Sequence, residues 1–484
     1  MLKTLIKISS ISCLCFALGL SAQVGNQLPK LGEAAGATLS IAKEQQIGDQ
    51  IMSQIRGSRF LMQDPLVNDY IQQIGYRLVA ANPDALGRSF RFFIIQEASI
   101  NAFALPGGYI GIHSGLITAS RSESELASVL GHEVAHVTQR HLARRLEKQN
   151  QISLPTILAS IGAILVATQN PDAGVGALSA TQAASQQSII SHTRDNEKEA
   201  DRIGIAMLSG AGFDVRAAAD FFETLSRQSR YVRKPPEILL THPLSENRKN
   251  DAERRARLYP NVEHQSSIDY QLVKARIKSL ENQSNEVYFS QFKSKANKPE
   301  SSIADQYQYA ELLKSRGNNQ KAINILDKLY QKMPNNHIVL YSLSEAHLAN
   351  NSSKAALPLL QQQLHRNPGN TKLVLATANA YMSMQQPQKA ESLLLRYADL
   401  NKTNPNYLFA LAKSQQESNH IPEMHETTGQ YMVLVGQYKN AKKHFELALG
   451  HFSEDPYAQT RIQARLQNVR QKLRELIENK NRRS

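Results

Sequence analysis

The sequence predicts a mainly α protein in which a helical domain with a small β-sheet precedes an all-α solenoid of helical hairpins. Three observations carry this. In the C-terminal part Ala310, Ser344 and Ala378 stand 34 residues apart, as do Ala322, Ala356 and Ala390, with Leu326, Leu360 and Leu394 in the same register. Between residues 41 and 80 apolar side chains recur at helical spacing. Two short runs, 102–105 and 109–112, flank Pro106-Gly107-Gly108 as strands flank a turn.

At 484 residues the chain is too long for one ordinary core. Its 41% hydrophobic and 20% charged residues are those of globular material. The predicted divisions are a signal peptide over 1–22, a domain over 23–265, a helical linker over 266–300 and repeats over 301–484. Lys3, Lys7, the apolar stretch from Ile8 to Leu20 and the small pair Ser21-Ala22 form the signal pattern. Both cysteines, Cys13 and Cys15, fall inside it, so the mature chain offers no disulfide and no thiolate metal site. Export without disulfides points to the periplasm of a Gram-negative envelope.

Residues 23–40 read as a linker, and Ile41 to Ile55 as a helix. Pro65 opens a second helix with Val67, Tyr70, Ile71, Ile74 and Leu78 along one side. Phe90 to Ile95 reads as a strand, and Glu123 to Leu146 as one long helix. The apolar segment from Leu154 to Ala167 is too short to span a bilayer, which leaves a buried helix or a peripheral membrane contact. A mobile stretch is expected over 170–187, then helices from Asp195 to Leu208 and from Val215 to Ser226.

The 34-residue pattern resembles tetratricopeptide repeats: small residues let paired helices approach, and Pro334 and Pro368 close two units. The third unit departs, its proline delayed to Pro405. A displaced fourth unit keeps the internal spacing at Gly429, Ala441, Phe445 and Ala448, with an extra helix near Tyr407 to Ser418 before it.

The net charge is +14, but there is no Trp and aromatic residues make up only 6%, so single-strand nucleic-acid binding lacks its stacking platforms. The basic stretch from Arg470 to Arg483 reads as a solvated helix end. No nucleic-acid partner is expected.

His132-Glu133-Val134-Ala135-His136 carries the chemistry. A spacing of four puts both imidazoles on one helix face, where they can hold one zinc ion. Glu133 then stands where it can take a proton from a water the metal acidifies. A third ligand is needed. The extended pattern with a histidine six residues further is absent, because Leu142 occupies that place, and His141, one position off, points to another side. Glu197 and Asp201 share a face of the later helix, so one can ligate while the other supports a ligand histidine; Glu199 is a third possibility. Ala200, Ile203, Gly204 and Met207 allow this helix to pack closely beside the first.

These motifs, together with Asn101-Ala102-Phe103-Ala104-Leu105-Pro106-Gly107-Gly108, resemble the CAAX-prenyl-protease and heat-shock membrane-protease family of gluzincins, specifically its secreted, repeat-tailed branch, over essentially the whole mature chain. The resemblance implies a zincin-type endopeptidase with one Zn2+ per chain, held by His132, His136 and Glu197, with Glu133 as general base and Asp201 as the supporting aspartate. It implies that Asn101, Ala102, Phe103, Ala104 and Leu105 form an edge where substrate adds as a strand. Thr241-His242-Pro243 and Arg248 fit the same pattern. His242 either stabilises the oxyanion or fills the open metal position, and Arg248 holds a carboxylate or a substrate carbonyl. The implied partners are unfolded or misassembled outer-membrane β-barrel proteins and the barrel-assembly machinery, the latter through the repeats. Two rival readings are a catalytically restrained repeat scaffold or chaperone and a basic polyanion-binding envelope protein.

Overall fold

The computed structural model describes residues 39–56, 58, 60–148, 193–231, 236–243, 245–260, 262 and 264–481. The signal segment, most of the 23–40 stretch, the apolar 154–167 segment, the 170–187 stretch and His192 lie outside the described residues.

The N-terminal part begins with α1 (Ile41–Arg56) and α2 (Pro65–Ala80). Asp64 caps α2 by accepting from the amides of Leu66 and Val67, with Pro65 in the first turn, where its missing N–H costs nothing. Strands β1 (Arg91–Ile95), β2 (Ala102–Leu105) and β3 (Tyr109–His113) form a sheet of order β1-β3-β2, with β1 parallel and β2 antiparallel to β3. The expected hairpin is present, and its turn is a short 3-10 segment in which Gly107 adopts φ 77°. Phe103 pairs with Gly111, where a Cβ would overlap the phenyl ring. β2 is an edge strand, with β3 as its one neighbour in the sheet.

After α3 (Ser114–Ala119) the expected long helix is two helices, α4 (Glu123–Thr138) and α5 (His141–Lys148). Arg140, at φ 52°, breaks the run and turns the chain back. α6 (Arg194–Gly210), α7 (Ala217–Tyr231), α8 (Ile238–Thr241) and α9 (Glu246–Ala256) complete this part.

α10 (Ile268–Glu281) lies in the stretch expected as a linker and is buried through Tyr270, Leu272, Val273, Ala275 and Ile277. One apolar core runs from Met62 through α10 to Ala380 and so unites both halves of the chain. Arg276, on α10, reaches Asp64 at 2.7 Å, Glu311 at 3.0 Å and Glu345 at 3.1 Å. α11 (Glu286–Ala296) follows.

The repeat hairpins are α12 (Ile303–Ser315) with α13 (Asn319–Lys332), α14 (His337–Ala349) with α15 (Ser353–Arg366), and α16 (Thr371–Ser383) with α17 (Pro387–Arg396). A short turn, α18 (Ala398–Asn401), leads to α19 (Pro405–Glu417), the extra helix, which starts 34 residues after Thr371 and so keeps the repeat period. Then come α20 (Ile421–Leu434), α21 (Tyr438–His451) and α22 (Pro456–Asn481). The displaced unit is α20 with α21: a Cβ on Gly429 would lie 2.6 Å from the Phe445 ring. The solenoid curves back onto the first domain, where Lys372 meets Asp69 at 2.8 Å and Asn406 donates to the Gln63 carbonyl at 3.1 Å. Among the described residues no helix is long and apolar enough to cross a membrane.

Candidate metal centre

The site is built on α4, which is buried on nearly every side. Ser122 caps it by accepting from the Glu125 amide, and Glu125 reaches back to the Arg121 amide. α6 crosses α4 at two glycines: a Cβ on Gly204 would lie 3.2 Å from the His132 amide nitrogen, and one on Gly131 would lie 3.4 Å from the Gly204 carbonyl. That closeness sets Glu197 and Asp201 beside the two histidines.

His132 Nε2 and His136 Nε2 face each other at 2.9 Å. Glu197 lies 3.4 Å from each, and His242 Nδ1 lies 3.0 Å from Glu197 Oε1 and 3.3 Å from His132 Nε2. One atom from each of His132, His136, Glu197 and His242 falls within 4.8 Å of the others. Neighbouring nitrogen ligands on a tetrahedral zinc ion stand about 3.3 Å apart, so the spacing fits such an ion.

Charge supports the same fit. Glu133 and Glu197 are buried, with half-buried Asp201 beside them, around the single guanidinium of Arg248. Fully ionised, three carboxylates and one cation leave two negative charges, which a divalent ion offsets. Burial alone would push the His132 imidazole down, but Glu197 and Asp201 outweigh it and hold it up at about 10. A field that binds a proton so firmly also binds a metal cation. Burial likewise opposes ionisation of Glu197, yet His242 and His132 prevail and hold its carboxyl far below the usual range.

The supporting contacts fix the tautomers. His132 Nδ1 lies 2.9 Å from Asp201 Oδ1, leaving Nε2 for the metal. Arg248 grips Asp201 with a fork, Nε to Oδ2 at 2.7 Å and Nη2 to Oδ1 at 2.8 Å, while Nη1 lies 2.7 Å from Glu197 Oε2. Arg248 therefore holds carboxylates of the chain itself, and its Nη1 also donates to the Pro243 carbonyl at 3.1 Å.

Behind His136 stands His141, its Nδ1 2.7 Å from His136 Nδ1 and its Nε2 2.9 Å from Glu199 Oε2. His141 stays outside the ligand group, as expected, but the break at Arg140 folds α5 back and sets it against His136. Glu199 as a ligand is corrected: it faces His141 and Arg144, away from the centre. A histidine one place out of register, just after a helix break, was a signal that linear helix geometry could not convert into a contact.

Glu133 is fully buried, neither carboxylate oxygen has a hydrogen-bond partner, and burial raises its carboxyl. His242 Nε2 lies 3.4 Å from Glu133 Oε1. An unsatisfied buried carboxylate beside a group of ligands is poised for proton transfer.

Asn101, Ala102, Phe103, Ala104 and Leu105 stand outside this cluster, at the start of β2 and along it. They connect to it through the backbone, since the Ile238 amide, on the helix leading to His242, donates to the Ile100 carbonyl at 3.1 Å. Asn101 Nδ2 also reaches Glu237 Oε2 at 3.4 Å.

A profile of peptidase family M48 matches residues 65–256, and a tetratricopeptide-repeat profile matches residues 348–413. A protein of Yersinia pestis named beta-barrel assembly-enhancing protease is 42% identical over 332 residues, 68% of each chain. A Vibrio cholerae relative is 42% identical over 343 residues, 69% of this chain and 71% of the relative. The Escherichia coli K12 protein named beta-barrel assembly-enhancing protease is 47% identical over 261 residues, 54% of this chain and 53% of its own length.

The chain belongs to peptidase family M48. It is a metallopeptidase followed by tetratricopeptide repeats, and the group of His132, His136, Glu197 and His242 is where this M48 chain could hold its metal ion.

Proposed function

We propose that the protein is a periplasmic zinc endopeptidase, exported through a cleavable signal, that acts in the assembly and quality control of outer-membrane β-barrel proteins. The observation that carries the peptidase reading is the convergence of two imidazoles and Glu197 beside a buried Glu133 whose carboxylate accepts no hydrogen bond. The envelope setting and the substrates rest on the names of its relatives and on the leader pattern.

His132, His136 and Glu197 would hold one zinc ion per chain, and Asp201 and Arg248 keep His132 and Glu197 in position. A bound zinc ion supplies Lewis acidity to the attacking water and the scissile carbonyl. Glu133 takes the proton of that water on its carboxylate and returns it to the departing amide nitrogen. A substrate segment lies along β2 as an added strand, where backbone pairing gives affinity without demanding a sequence. The repeats present the surface for the assembly machinery.

The position of His242 within the ligand group favours a resting enzyme that is restrained, with this imidazole as the fourth donor. Zinc content and casein cleavage are measured together on the intact protein, Glu133→Gln and His242→Ala. Glu133→Gln should keep zinc and lose at least about a hundredfold in cleavage. His242→Ala should keep zinc and cleave faster. Cleavage lost in His242→Ala would make this residue a catalytic group instead, and absence of zinc after metal loading would overturn the peptidase reading.

A further inference from the structure

A second group of histidines stands on the repeats, unused by the peptidase chemistry. His425 is on α20, and His444 and His451 are on α21. Seven residues are about two turns, so His444 and His451 share one side of α21. His425 faces that side. Its Nδ1 lies 3.1 Å from His444 Nδ1, with ring centroids 5.2 Å apart. Its ring stacks on that of His451 at 6.1 Å and 14°. Three imidazoles from two helices thus stand in a row.

The 3.1 Å approach resembles the 2.9 Å between His132 Nε2 and His136 Nε2 at the catalytic centre. It also suits two ligands on one ion of zinc-like size, which stand about 3.3 Å apart. Burial first, then His444 and His451, push the His425 imidazole down; burial and Lys443 do the same to His444. Both rings are therefore neutral at pH 7, the form that ligates metal. Neither is fully buried, so an ion can reach them from solvent.

We infer that His425 and His444, with His451 beside them, form a second metal site that takes a borderline transition-metal cation such as Zn2+, Ni2+ or Cu2+. An all-imidazole group suits these ions and not Mg2+ or Ca2+. An ion here cross-links α20 to α21. The turn of that hairpin rests on the peptidase half: Tyr438 and Ser53 hydroxyls lie 3.4 Å apart, and a Cβ on Gly436 would sit about 3.1 Å from the Ser53 carbonyl. The site thus stiffens the repeat hairpin that touches α1.

Calorimetric titration of the untagged, full-length, metal-free protein with Zn2+ tests this. Two sites are expected, the tighter one at the catalytic group. His425→Gln and His444→Gln should each weaken the second site at least tenfold and leave the first unchanged; glutamine keeps hydrogen-bonding capacity at similar size. One site only, or a second site unmoved by both substitutions, overturns the inference. A further measurement needs no variant. Cu2+ added to protein carrying one equivalent of zinc, which fills the tighter site, should give an electron paramagnetic resonance spectrum with hyperfine structure from at least two imidazole nitrogens, and a spectrum of oxygen ligands alone overturns the inference.

Discussion

His141 Nδ1 lies 2.7 Å from His136 Nδ1, and the far nitrogen of the same ring lies 2.9 Å from Glu199 Oε2. For His136 to ligate through Nε2 its proton must sit on Nδ1, so Nδ1–H donates to His141 Nδ1. His141 is then protonated on Nε2 and donates to Glu199. Burial, the dominant influence, holds the His141 imidazole down at about 4, so the ring is neutral and able to accept. His141→Ala removes that acceptor. Zinc affinity, read by competition with a chelator, should fall about 10–100-fold with the helical circular-dichroism signal retained. Unchanged affinity would mean that His136 is oriented by packing alone.

That relay shows what the sequence makes legible and what it does not. His132, His136, Glu197 and Asp201 can be read because four-residue spacing fixes a shared helix face whatever surrounds it. The repeats can be read because close helix pairing demands small residues at fixed intervals. The contact of His141 cannot, because it depends on a backbone break at Arg140, and Arg248 is reached only through the family resemblance, because its place depends on a loop bringing α9 to α6. Burial of α10 is equally hidden, since its apolar residues show only that it is helical and not that both halves of the chain pack on it.

Gly204 sets the separation of α4 and α6. A Cβ there would stand 3.2 Å from the His132 amide and 3.4 Å from the Gly131 carbonyl carbon, both backbone atoms that cannot swing aside. Gly204→Val should move α6 outward and carry Glu197 and Asp201 away from the histidines. Zinc affinity is expected to drop at least about tenfold, the range seen when supporting contacts are lost, although no ligand has changed. Gly450→Ala on α21 serves as the control, because a Cβ there would meet nothing within 4 Å.

Arg276 is the electrostatic bolt between peptidase and repeats. It is buried, and it pairs with Asp64 from the first half and with buried Glu311 and half-buried Glu345 from the second. Arg276→Ala leaves these carboxylates without their shared cation, which costs about 3–5 kcal/mol for a buried pair. The melting temperature should fall, and limited proteolysis should cut between α10 and α12 before the rest of the chain. Arg276→Lys should recover only part of the loss, because an ammonium cannot present the planar fork that reaches three carboxylates. Full recovery would show that charge alone, without geometry, holds the two halves.

His113 ends the central strand, buried, with Nδ1 2.8 Å from Ser99 Oγ and its ring edge-on to Phe103 of β2. Burial holds its imidazole down at about 4, whereas the unfolded chain titrates near 6.5. Between these values the unfolded state binds more protons, so stability falls as pH drops from 6.5 toward 4 and levels off below. At about 1.4 kcal/mol per unit, the loss is at most about 3.5 kcal/mol. Glu237 faces the same ring at 3.9 Å, and burial raises its carboxyl, so it gains a proton in the folded state and works in the opposite sense. The two are separated by His113→Gln, which keeps a hydrogen bond to Ser99 and cannot titrate. Denaturant unfolding at pH 7 and pH 5 should show a smaller acid penalty in the variant than in the intact chain. Equal penalties would place the acid sensitivity elsewhere in the molecule.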